Sequence, residues 1–351
     1  MSVPSAYELL DALGTDIRSL LLMASNPVVS APRAAHIEER IKSLDFLAVC
    51  DVVLSETAAL ADVVLPVTQW AEETGTTTNL EGRVLLRRQA ITPPDGVRSD
   101  LEVLHELAAR LGVEKGFPTD PEEIFEELRR ASAGGAADYS GITYRRLVEE
   151  NGVFWPCPAA EPEGLTGAED GAGGPGAQRG AAGRPASTEA GDTAGVAHPG
   201  TPRLFLDRFA TPDGRARFVP VSHRAIAEEP DDEYPVLLTT GRVVAQYQSG
   251  AQTRRVAELN AAAPGPFVEL HPRLAARLGA AEGDPVAVVS RRGRAVAPAR
   301  ITSTIRPDTV FMPFHWPGEG RANSLTNPAL DPTSRMPEFK ACAVRLEAVQ
   351  P

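Results

Sequence analysis

The sequence contains only three cysteines, and their spacing excludes the common cysteine-based sites. Cys50, Cys157 and Cys342 lie far apart and never form CxxC, so they predict neither a disulfide framework nor a zinc or iron–sulfur ligand set. The six histidines show no HExxH or HxH grouping, and no protein metal site is predicted. We expect each cysteine to be a small, buried apolar side chain.

An excess of positive charge is also missing. The net charge of -12 argues against a surface for nucleic acid or anionic membrane, because both need clustered Lys and Arg. No run reaches the roughly 18 apolar residues of a membrane span. Asp11 and Asp16 precede the first apolar run, which is not the pattern of a signal peptide. These features predict a soluble, cytoplasmic protein.

Motifs for covalent catalysis are absent as well. Ser249 lies in YQSG and not in GxSxG, and the chain has no phosphate-binding loop ending in Lys-Ser or Lys-Thr. We therefore predict no catalytic residue in this chain.

The first 130 residues alternate between apolar runs of strand length and segments with helical spacing. Residues 19–25 read as a short buried strand, and residues 34–44 have Ile and Leu on one helical face. Ser99 and Glu102 form the capping box of a later helix, and Asp120-Pro121 begins another. This alternation predicts a mostly parallel sheet covered by helices.

Residues 159–197 differ sharply in composition, since they contain no aromatic residue and are dominated by Gly, Ala, Glu and Pro. Such a segment buries too little apolar area to offset its ordering entropy, so we predict a disordered insertion. Gly171, Gly173 and Gly176 match GxGxxG, but a dinucleotide fingerprint needs a preceding strand and a following helix. Neither is predicted here.

From residue 234 to the end, short strands follow one another with a single helical segment between them. This spacing predicts a closed barrel. Near its end, two apolar runs flank a long loop rich in hydrogen-bonding groups, including His315, Trp316, Asn323 and Thr326. A loop of this kind is either disordered or functional.

Polar groups also follow the predicted strands. Ser25 and Asn26 come just after the first strand and Asp51 after the next, where open α/β sheets bind ligands. A carboxylate there suits the N–H groups of a guanine edge, although a helix cap explains Asp51 equally well. Arg242 and Arg254 suit phosphate because guanidinium binds it in a bidentate manner. For Arg242, a surface ion pair is the alternative.

Taken together, these segments resemble the C-terminal part of the molybdopterin oxidoreductases, the family of formate dehydrogenases and of periplasmic and assimilatory nitrate reductases. The resemblance lies in LLLMASNPVVSAP, LDFLAVCDVVLSETAALADVVLP, EETGTTTNLEGR, LLTTGRVVAQYQSGAQTRR and the closing FHWPGEGRANSLTNPALDPTSRMPEFKACAVRLE. GVFWPCP and HPGTPRLFLDRFATPDGRARF favour the nitrate reductase branch. Residues 246–249 are Gln-Tyr-Gln-Ser, whereas a common family pattern is His-Trp-His-Thr.

The resemblance implies an α/β fold in three parts. A partial parallel-sheet dinucleotide-binding domain spans 1–150, a linker with the insertion spans 151–233, and a six-stranded double-psi-like β-barrel domain spans 234–351. The implied cofactor is molybdenum held by two molybdopterin guanine dinucleotides (bis-MGD). The implied cofactor-binding residues are Ser25, Asn26, Asp51, Thr240, Gly241, Arg242, Gln248, Ser249, His315, Trp316, Asn323, Thr326 and Lys340. Asp51 would bind guanine, and the residues from Thr240 onward would line the pterin and phosphates.

The family's 4Fe-4S cysteines and its protein ligand to molybdenum come from a domain ahead of this region, so an N-terminal half or an upstream-encoded subunit is the implied partner. Nitrate is the implied small-anion substrate, and the isolated chain is expected to reduce none. The alternatives are a formate dehydrogenase-like subunit and a non-catalytic module that binds or carries the cofactor.

Overall fold

The computed structural model describes residues 4–113, 115–159, 209 and 211–349. Its backbone divides into two compact units, the first made of Met1–Val67 and Ser222–Pro351 and the second of Thr68–Val221. Residues 160–197 of the predicted insertion lie outside the described residues, and they include the three glycines of GxGxxG. The domain bounds inferred from the sequence stay predictions.

The helices and strands are numbered here in chain order. The helices are α1 Ala6–Asp11, α2 Pro27–Ser30, α3 Ala34–Lys42, α4 Asp100–Arg110, α5 Pro121–Ser132, α6 Tyr144–Glu149, α7 Ala257–Ala262 and α8 Pro272–Leu278. The strands are β1 Ser19–Met23, β2 Phe46–Asp51, β3 Val63–Pro66, β4 Gly75–Thr78, β5 Arg83–Arg87, β6 Val153–Phe154, β7 Val236–Gly241, β8 Val268–Leu270, β9 Pro285–Ser290, β10 Gly293–Ile301, β11 Thr309–Pro313 and β12 Cys342–Ala348.

In the first unit, β1, β2 and β3 form a parallel sheet in the order β1-β2-β3. Ile37 and Ile41 of α3 pack with Leu47 and Val49 of β2 in one buried cluster. Helical spacing on α3 thus buries one face of the helix, whereas the apolar run of β2 is buried continuously from Leu47 to Cys50. Parallel pairing brings the carboxyl ends of β1 and β2 to the same edge of the sheet.

The side chains of β1 are only half-buried, contrary to the prediction of a buried strand. The reason is its position, because β1 pairs with β2 alone in the described part of the chain. An edge strand has a neighbour on one side only, so an apolar sequence by itself does not establish full burial.

The remainder of the first unit is a closed barrel of six strands in the order β10-β8-β11-β7-β12-β9, with β9 and β10 pairing to close it. Its pairings are mixed, since β7–β11 is parallel whereas β7–β12 is antiparallel. Leu238, Leu270, Val288 and Met312 point into one buried cluster. The α/β fold class and the six-stranded barrel are confirmed.

Helix α8 follows the expected capping pattern. His271 accepts a hydrogen bond from the Arg273 N–H at the N-cap, Pro272 occupies the first turn, and Gly279 ends the helix with φ +70°. The prediction of a single helix in this region is incomplete, because the six-residue α7 precedes it. So short a helix, without a side-chain cap, leaves little periodic signal.

The second unit departs from the predicted parallel arrangement. Here β4, β5 and β6 form an antiparallel sheet, and a turn at Asn79–Gly82 joins the first two strands. The Asn79 side chain accepts the Arg83 N–H at 2.9 Å, and Gly82 adopts φ +82°. The TNLEGR sequence therefore carried a hairpin signal that was missed. The predicted helix starts are confirmed at the Ser99–Glu102 capping box and at the Asp120 N-cap.

Candidate functional site

A cleft of about 640 Å³ lies in the first unit, between the sheet's carboxyl edge and the loops of the barrel. Its volume falls within the range of about 300–1,000 Å³ typical of small-molecule sites. The lining residues are Ala24, Ser25, Asn26, Ser30, Asp51, Val53, Tyr247, Gln248, Ser249, Ala251, Gln252, Phe314, Asn323, Phe339 and Lys340.

One wall of the cleft follows directly from the parallel sheet. Ser25 and Asn26 leave β1 and Asp51 ends β2, and the Ala24 N–H donates to the Cys50 carbonyl at 3.0 Å across the two strand ends. Ala24 adopts φ +49°, a conformation that turns the chain away from the sheet. The edge-of-sheet position predicted for these polar residues is the one observed.

The Asp51 carboxylate is partly engaged by its own turn. Its Oδ1 accepts the Val52 N–H at 2.8 Å and its Oδ2 accepts the Ser55 hydroxyl at 2.7 Å. Oδ1 also accepts the Val53 N–H at 3.4 Å, so both of its lone pairs are engaged, whereas Oδ2 retains one lone pair for a further donor. Asp51 thus stabilises its own turn rather than a helix end, because the next helical turn, Ala58–Leu60, begins after Thr57. Its Oδ2 keeps acceptor capacity towards the cleft.

The opposite wall is the loop of residues 247–252, which follows β7. Gln248 and Gly250 adopt φ +50° and +73°, respectively, and these conformations turn the loop towards the sheet edge. A Cβ at position 250 would lie 2.6 Å from the carbonyl oxygen of His315, so only glycine fits there. The loop brings Ser249 within 3.1 Å of Asn26.

Asn26 uses its whole hydrogen-bonding capacity inside the protein. Its Nδ2 donates to Glu56 Oε2 at 2.7 Å and to Ser249 Oγ at 3.1 Å. Its Oδ1 accepts from the N–H and the hydroxyl of Thr57 at 3.1 and 2.8 Å. Two donors and two acceptors are all that an amide side chain has. Asn26 therefore joins the two walls and shapes the cleft.

Arg254 is part of the same network, because its Nη2 lies 2.6 Å from Glu56 Oε1. Burial raises the pKa of Glu56, but the hydrogen bonds from Arg254 and Asn26 outweigh it, so the net pKa lies below the ordinary value. Glu56 is therefore ionised at neutral pH, and Arg254 is committed to it.

Arg242 differs from Arg254 although both looked alike in the sequence. Its guanidinium carbon lies 5.8 Å from the centroid of the Tyr247 ring, and its side chain has no ion pair within the described ranges. Tyr247 itself lines the cleft and is largely exposed. Arg242 therefore lies beside the cleft with its donors available, although it is not part of the cleft wall.

His315 is fully buried and lies behind the loop rather than on the cleft wall. Its Nε2 accepts the Val243 N–H at 2.9 Å, and its Nδ1 lies 2.6 Å from the Gln248 carbonyl, to which it donates. Burial lowers the pKa of His315, the Gln248 hydrogen bond opposes this, and Arg242 and Arg254 lower it further. Both ring nitrogens of the neutral imidazole are thus used to fix the loop.

Lys340 extends along the cleft near two phenylalanines that also line it. Its Nζ donates to the Thr240 carbonyl at 3.1 Å and lies 4.9 Å from the centroid of the Phe314 ring. Burial and, secondarily, the charge of Arg242 lower the pKa of Lys340. The Thr240 hydroxyl donates to the carbonyl of Phe339 at 2.9 Å, so Thr240 supports this wall from outside the cleft.

The long closing loop is ordered by its own polar groups. Asn323 is buried, its Nδ2 donates to the Val29 carbonyl at 2.8 Å, and its Oδ1 accepts from Thr326 at 3.2 Å. Trp316 is also buried, and its indole N–H has no hydrogen-bond partner among residues 4–113, 115–159, 209 and 211–349. These contacts hold the described part of the loop in a defined conformation against α2.

Seven of the thirteen predicted site residues line the cleft: Ser25, Asn26, Asp51, Gln248, Ser249, Asn323 and Lys340. The other six lie beside or behind it: Thr240, Gly241, Arg242, His315, Trp316 and Thr326. Their binding roles stay predictions.

Sequence reasoning missed several residues that line or support the cleft, namely Glu56, Tyr247, Gln252, Phe314 and Phe339. The SET triplet at 55–57, next to Asp51, was the only signal for Glu56.

The described residues contain no group of three His, Cys, Asp or Glu side chains that converge as a metal site. None of the helices within these ranges combines the length and hydropathy that a membrane span needs. Cys50, Cys157 and Cys342 are buried and free of disulfides, so the prediction that they are buried is confirmed.

Comparison with known proteins supplies the family. Residues 236–343 match the family described as "Molydopterin dinucleotide binding domain", and residues 2–110 match "Molybdopterin oxidoreductase". The chain belongs to the molybdopterin oxidoreductase family. Within this family it is of the nitrate reductase and formate dehydrogenase type, and molybdopterin dinucleotide is the family's cofactor.

Two relatives of different named activity are equally similar to this family member. The assimilatory nitrate reductase catalytic subunit of Bacillus subtilis is 39% identical over 97% of this chain and 44% of its own length. The F420-dependent formate dehydrogenase subunit alpha of Methanocaldococcus jannaschii is 40% identical over 97% of this chain and 45% of its own length. The chain spans about half the length of the curated relatives it matches.

A solved structure shares the fold. Acetylene hydratase from Pelobacter acetylenicus superposes with a TM-score of 0.66 at 19% identity, over 97% of this chain and 46% of that one. At this identity the likeness supports the fold and nothing more about chemistry.

The residues of the cleft fit a molybdopterin dinucleotide. Asp51 retains acceptor capacity for the N–H groups of a base, and Lys340 presents an ammonium group that suits phosphate. Ser25 and Gln252 add polar side chains to the same cleft, whereas Phe314 and Phe339 add apolar surface. A carboxylate, a cation and flat apolar groups in one cleft match the base, phosphate and ring parts of such a ligand.

Proposed function

We propose that this chain binds molybdopterin guanine dinucleotide in the cleft and belongs to a nitrate reductase-like, molybdenum-dependent oxidoreductase. The observation that carries the proposal is the position of Asp51. Its carboxylate ends β2 at the cleft, and its Oδ2 keeps one free lone pair beside the Ser55 hydrogen bond, whereas Oδ1 accepts from the N–H groups of Val52 and Val53. Guanine offers neighbouring N–H donors to this carboxylate, whereas the corresponding edge of adenine places a ring acceptor beside its amino group.

The other residues have distinct roles in this proposal. Lys340 and Arg242 attract the phosphates, and Ser25, Gln248 and Ser249 supply hydrogen bonds along the cleft. His315 does not touch the ligand but holds the turn that carries Gln248. Asn26 and Thr240 likewise act through the residues that they position.

When bound as bis-MGD, the cofactor would supply the molybdenum redox chemistry of the enzyme. This chain would contribute orientation and shielding. The Asn26–Ser249 contact joins the two cleft walls, and the buried Asn323 holds the closing loop against Val29. We assign no catalytic residue to this chain.

Nitrate as the substrate is favoured by the GVFWPCP and HPGTPRLFLDRFATPDGRARF segments. Formate is the second candidate, because a formate dehydrogenase subunit alpha matches this chain at 40% identity and a nitrate reductase at 39%. Steady-state assays of the complete enzyme with each substrate decide between them. Turnover of formate and not of nitrate would reject the first choice.

The chain covers only 44% and 45% of the length of the two relatives, and this supports the proposal that a further polypeptide segment completes the enzyme. We propose that a second polypeptide segment, covalently continuous or separately encoded, provides the 4Fe-4S cluster and the molybdenum ligand. The proposed location is the cytoplasm. If the chain instead retains and releases the cofactor alone, without joining an oxidoreductase, it is a carrier module. Purification from the native cell, followed by identification of copurifying chains, separates these cases.

Binding of GDP tests the site itself, because GDP carries the guanine and phosphates without the pterin. We expect the full chain to bind GDP more tightly than ADP, and Asp51→Asn to reduce that preference. Asp62→Asn is a matched control, since Asp62 immediately precedes β3 and accepts the Leu47 N–H of β2 at 2.8 Å but does not line the cleft. Equal affinity for GDP and ADP in the wild type would overturn the guanine assignment.

A further inference from the structure

Glu56 contacts both walls of the cleft although it does not line it. Its Oε1 lies 2.6 Å from Arg254 Nη2, on the barrel side, and its Oε2 accepts from Asn26 Nδ2 at 2.7 Å, on the sheet side. The side chains of Glu56 and Arg254 are 24% and 18% exposed. At this burial a carboxylate–guanidinium pair is screened much less by salt than a surface pair.

The contact continues from Asn26 to the ligand-facing loop. The second hydrogen of Asn26 Nδ2 goes to Ser249 Oγ, and Thr57 holds the amide oxygen. Because every donor and acceptor of Asn26 is used, its orientation is fixed. Asn26 therefore positions Ser249, and the hydrogen bonds from Asn26 to Glu56 and from Thr57 to Asn26 fix the Asn26 side chain.

A separate bond ties the same two segments nearby. Arg255 Nη2 donates to the Leu54 carbonyl at 2.7 Å. The segment 54–56 is thus joined to residues 254–255 by an ion pair and by a backbone contact. Loop 247–252 lies immediately before these arginines, so its C-terminal end is anchored to the sheet side at this place.

We propose that Glu56 is a positioning residue for the cleft: its carboxylate holds Asn26 and Arg254 together and thereby fixes loop 247–252 against the sheet edge. The inference rests on the proposed function only for the identity of the ligand. The positioning itself concerns contacts within this chain.

The chemistry explains why a carboxylate is needed at this position. Both neighbours, Arg254 and Asn26, present N–H donors, and an ionised carboxylate offers an acceptor to each. Glutamine has one oxygen and one NH₂ group, so it satisfies one neighbour and turns a donor towards the other. Glu56→Gln therefore preserves size and packing while removing half of the connection.

Hydrogen–deuterium exchange of the ligand-free full chain tests the positioning directly. We expect Glu56→Gln to accelerate exchange in loop 247–252, and Glu56→Ala to accelerate it further. Glu228→Gln is the matched control, because Glu228 forms an ion pair with Arg292 whose side chains are 15% and 11% exposed, and neither residue lines the cleft. The control should leave exchange in the loop unchanged.

GDP titration then connects positioning with binding. We expect Glu56→Gln to weaken GDP binding about tenfold, the equivalent of one lost hydrogen bond of this type, and Glu228→Gln to leave it unchanged. A loop whose exchange is unaltered in both Glu56 variants would overturn the inference, even if GDP binds. Faster exchange in the Glu56 variants together with no GDP binding by the wild type would support the inference and reject the proposed ligand.

Discussion

The imidazole of His315 lies 2.6 Å from the carbonyl oxygen of Gln248 and joins the segment after β11 to the loop after β7. The other ring nitrogen accepts the Val243 N–H at 2.9 Å. One buried ring therefore fixes the loop at two points, five residues apart. This arrangement holds only for the neutral imidazole, because protonation at Nε2 would place a donor against the Val243 donor.

The first prediction concerns pH. Burial lowers the pKa of His315 in the folded protein, so the folded state binds a proton less readily than the unfolded state. The contribution of His315 to stability is complete above the ordinary histidine pKa of about 6.5 and is lost as the pH falls towards the lowered folded value. Urea unfolding of the wild type between pH 8 and 5 should show this loss.

His315→Gln is the control for this prediction, since glutamine does not titrate. The variant should be less stable than the wild type at pH 8, and the difference between the two proteins should shrink as the pH falls. A difference that is constant with pH would show that His315 does not titrate below its ordinary range.

The second prediction concerns Asn323. Replacement by Ala removes the donor to the buried Val29 carbonyl and should lower the free energy of unfolding of the ligand-free chain by about 1–3 kcal/mol. The family resemblance implied instead that Asn323 binds the cofactor, and a residue with that role alone would leave the stability of the ligand-free chain unchanged. Equilibrium unfolding of Asn323→Ala distinguishes the two, because an unchanged midpoint would contradict the structural role.

The third prediction separates the two arginines. Arg242→Lys keeps the charge of an exposed side chain without an ion pair in the described regions, so stability should stay within about 0.5 kcal/mol of the wild type. Affinity for GDP should fall, because ammonium lacks the planar fork that guanidinium offers to phosphate. Arg254→Lys should instead lower stability, since Arg254 pairs with Glu56. Calorimetric unfolding and titration of both variants provide the check.

The fourth prediction concerns Gly241. A Cβ at this position would lie 2.6 Å from the ring of Phe311, so Gly241→Ala should destabilise the barrel by about 1–3 kcal/mol through overpacking. Phe311→Leu should relieve much of this cost in the double variant. If the double variant is no more stable than Gly241→Ala, the glycine serves another purpose, such as close approach of a ligand.

Much of the fold could be predicted from local signals. Helix α3 was visible in the spacing of Ile37 and Ile41, and α4 in its capping box at Ser99 and Glu102, because both signals act over a few residues. The antiparallel β4–β5 pair was missed although Asn79 and Gly82 mark its turn. The half-exposure of β1 was not foreseeable, since burial depends on neighbours that the strand's own sequence does not specify.

The sequence by itself determined the helix caps, the apolar runs of strand length and the placement of Ser25, Asn26 and Asp51 after strands, because these depend on neighbours along the chain. Only the tertiary structure decided which polar groups remain for a ligand. Asn26 and Arg254 looked like binding residues, yet each of them donates a hydrogen bond to Glu56, which lies 30 and 198 positions away, respectively. A polar group forms a hydrogen bond with whichever partner the fold brings within about 3 Å. The sequence next to that group does not specify this partner.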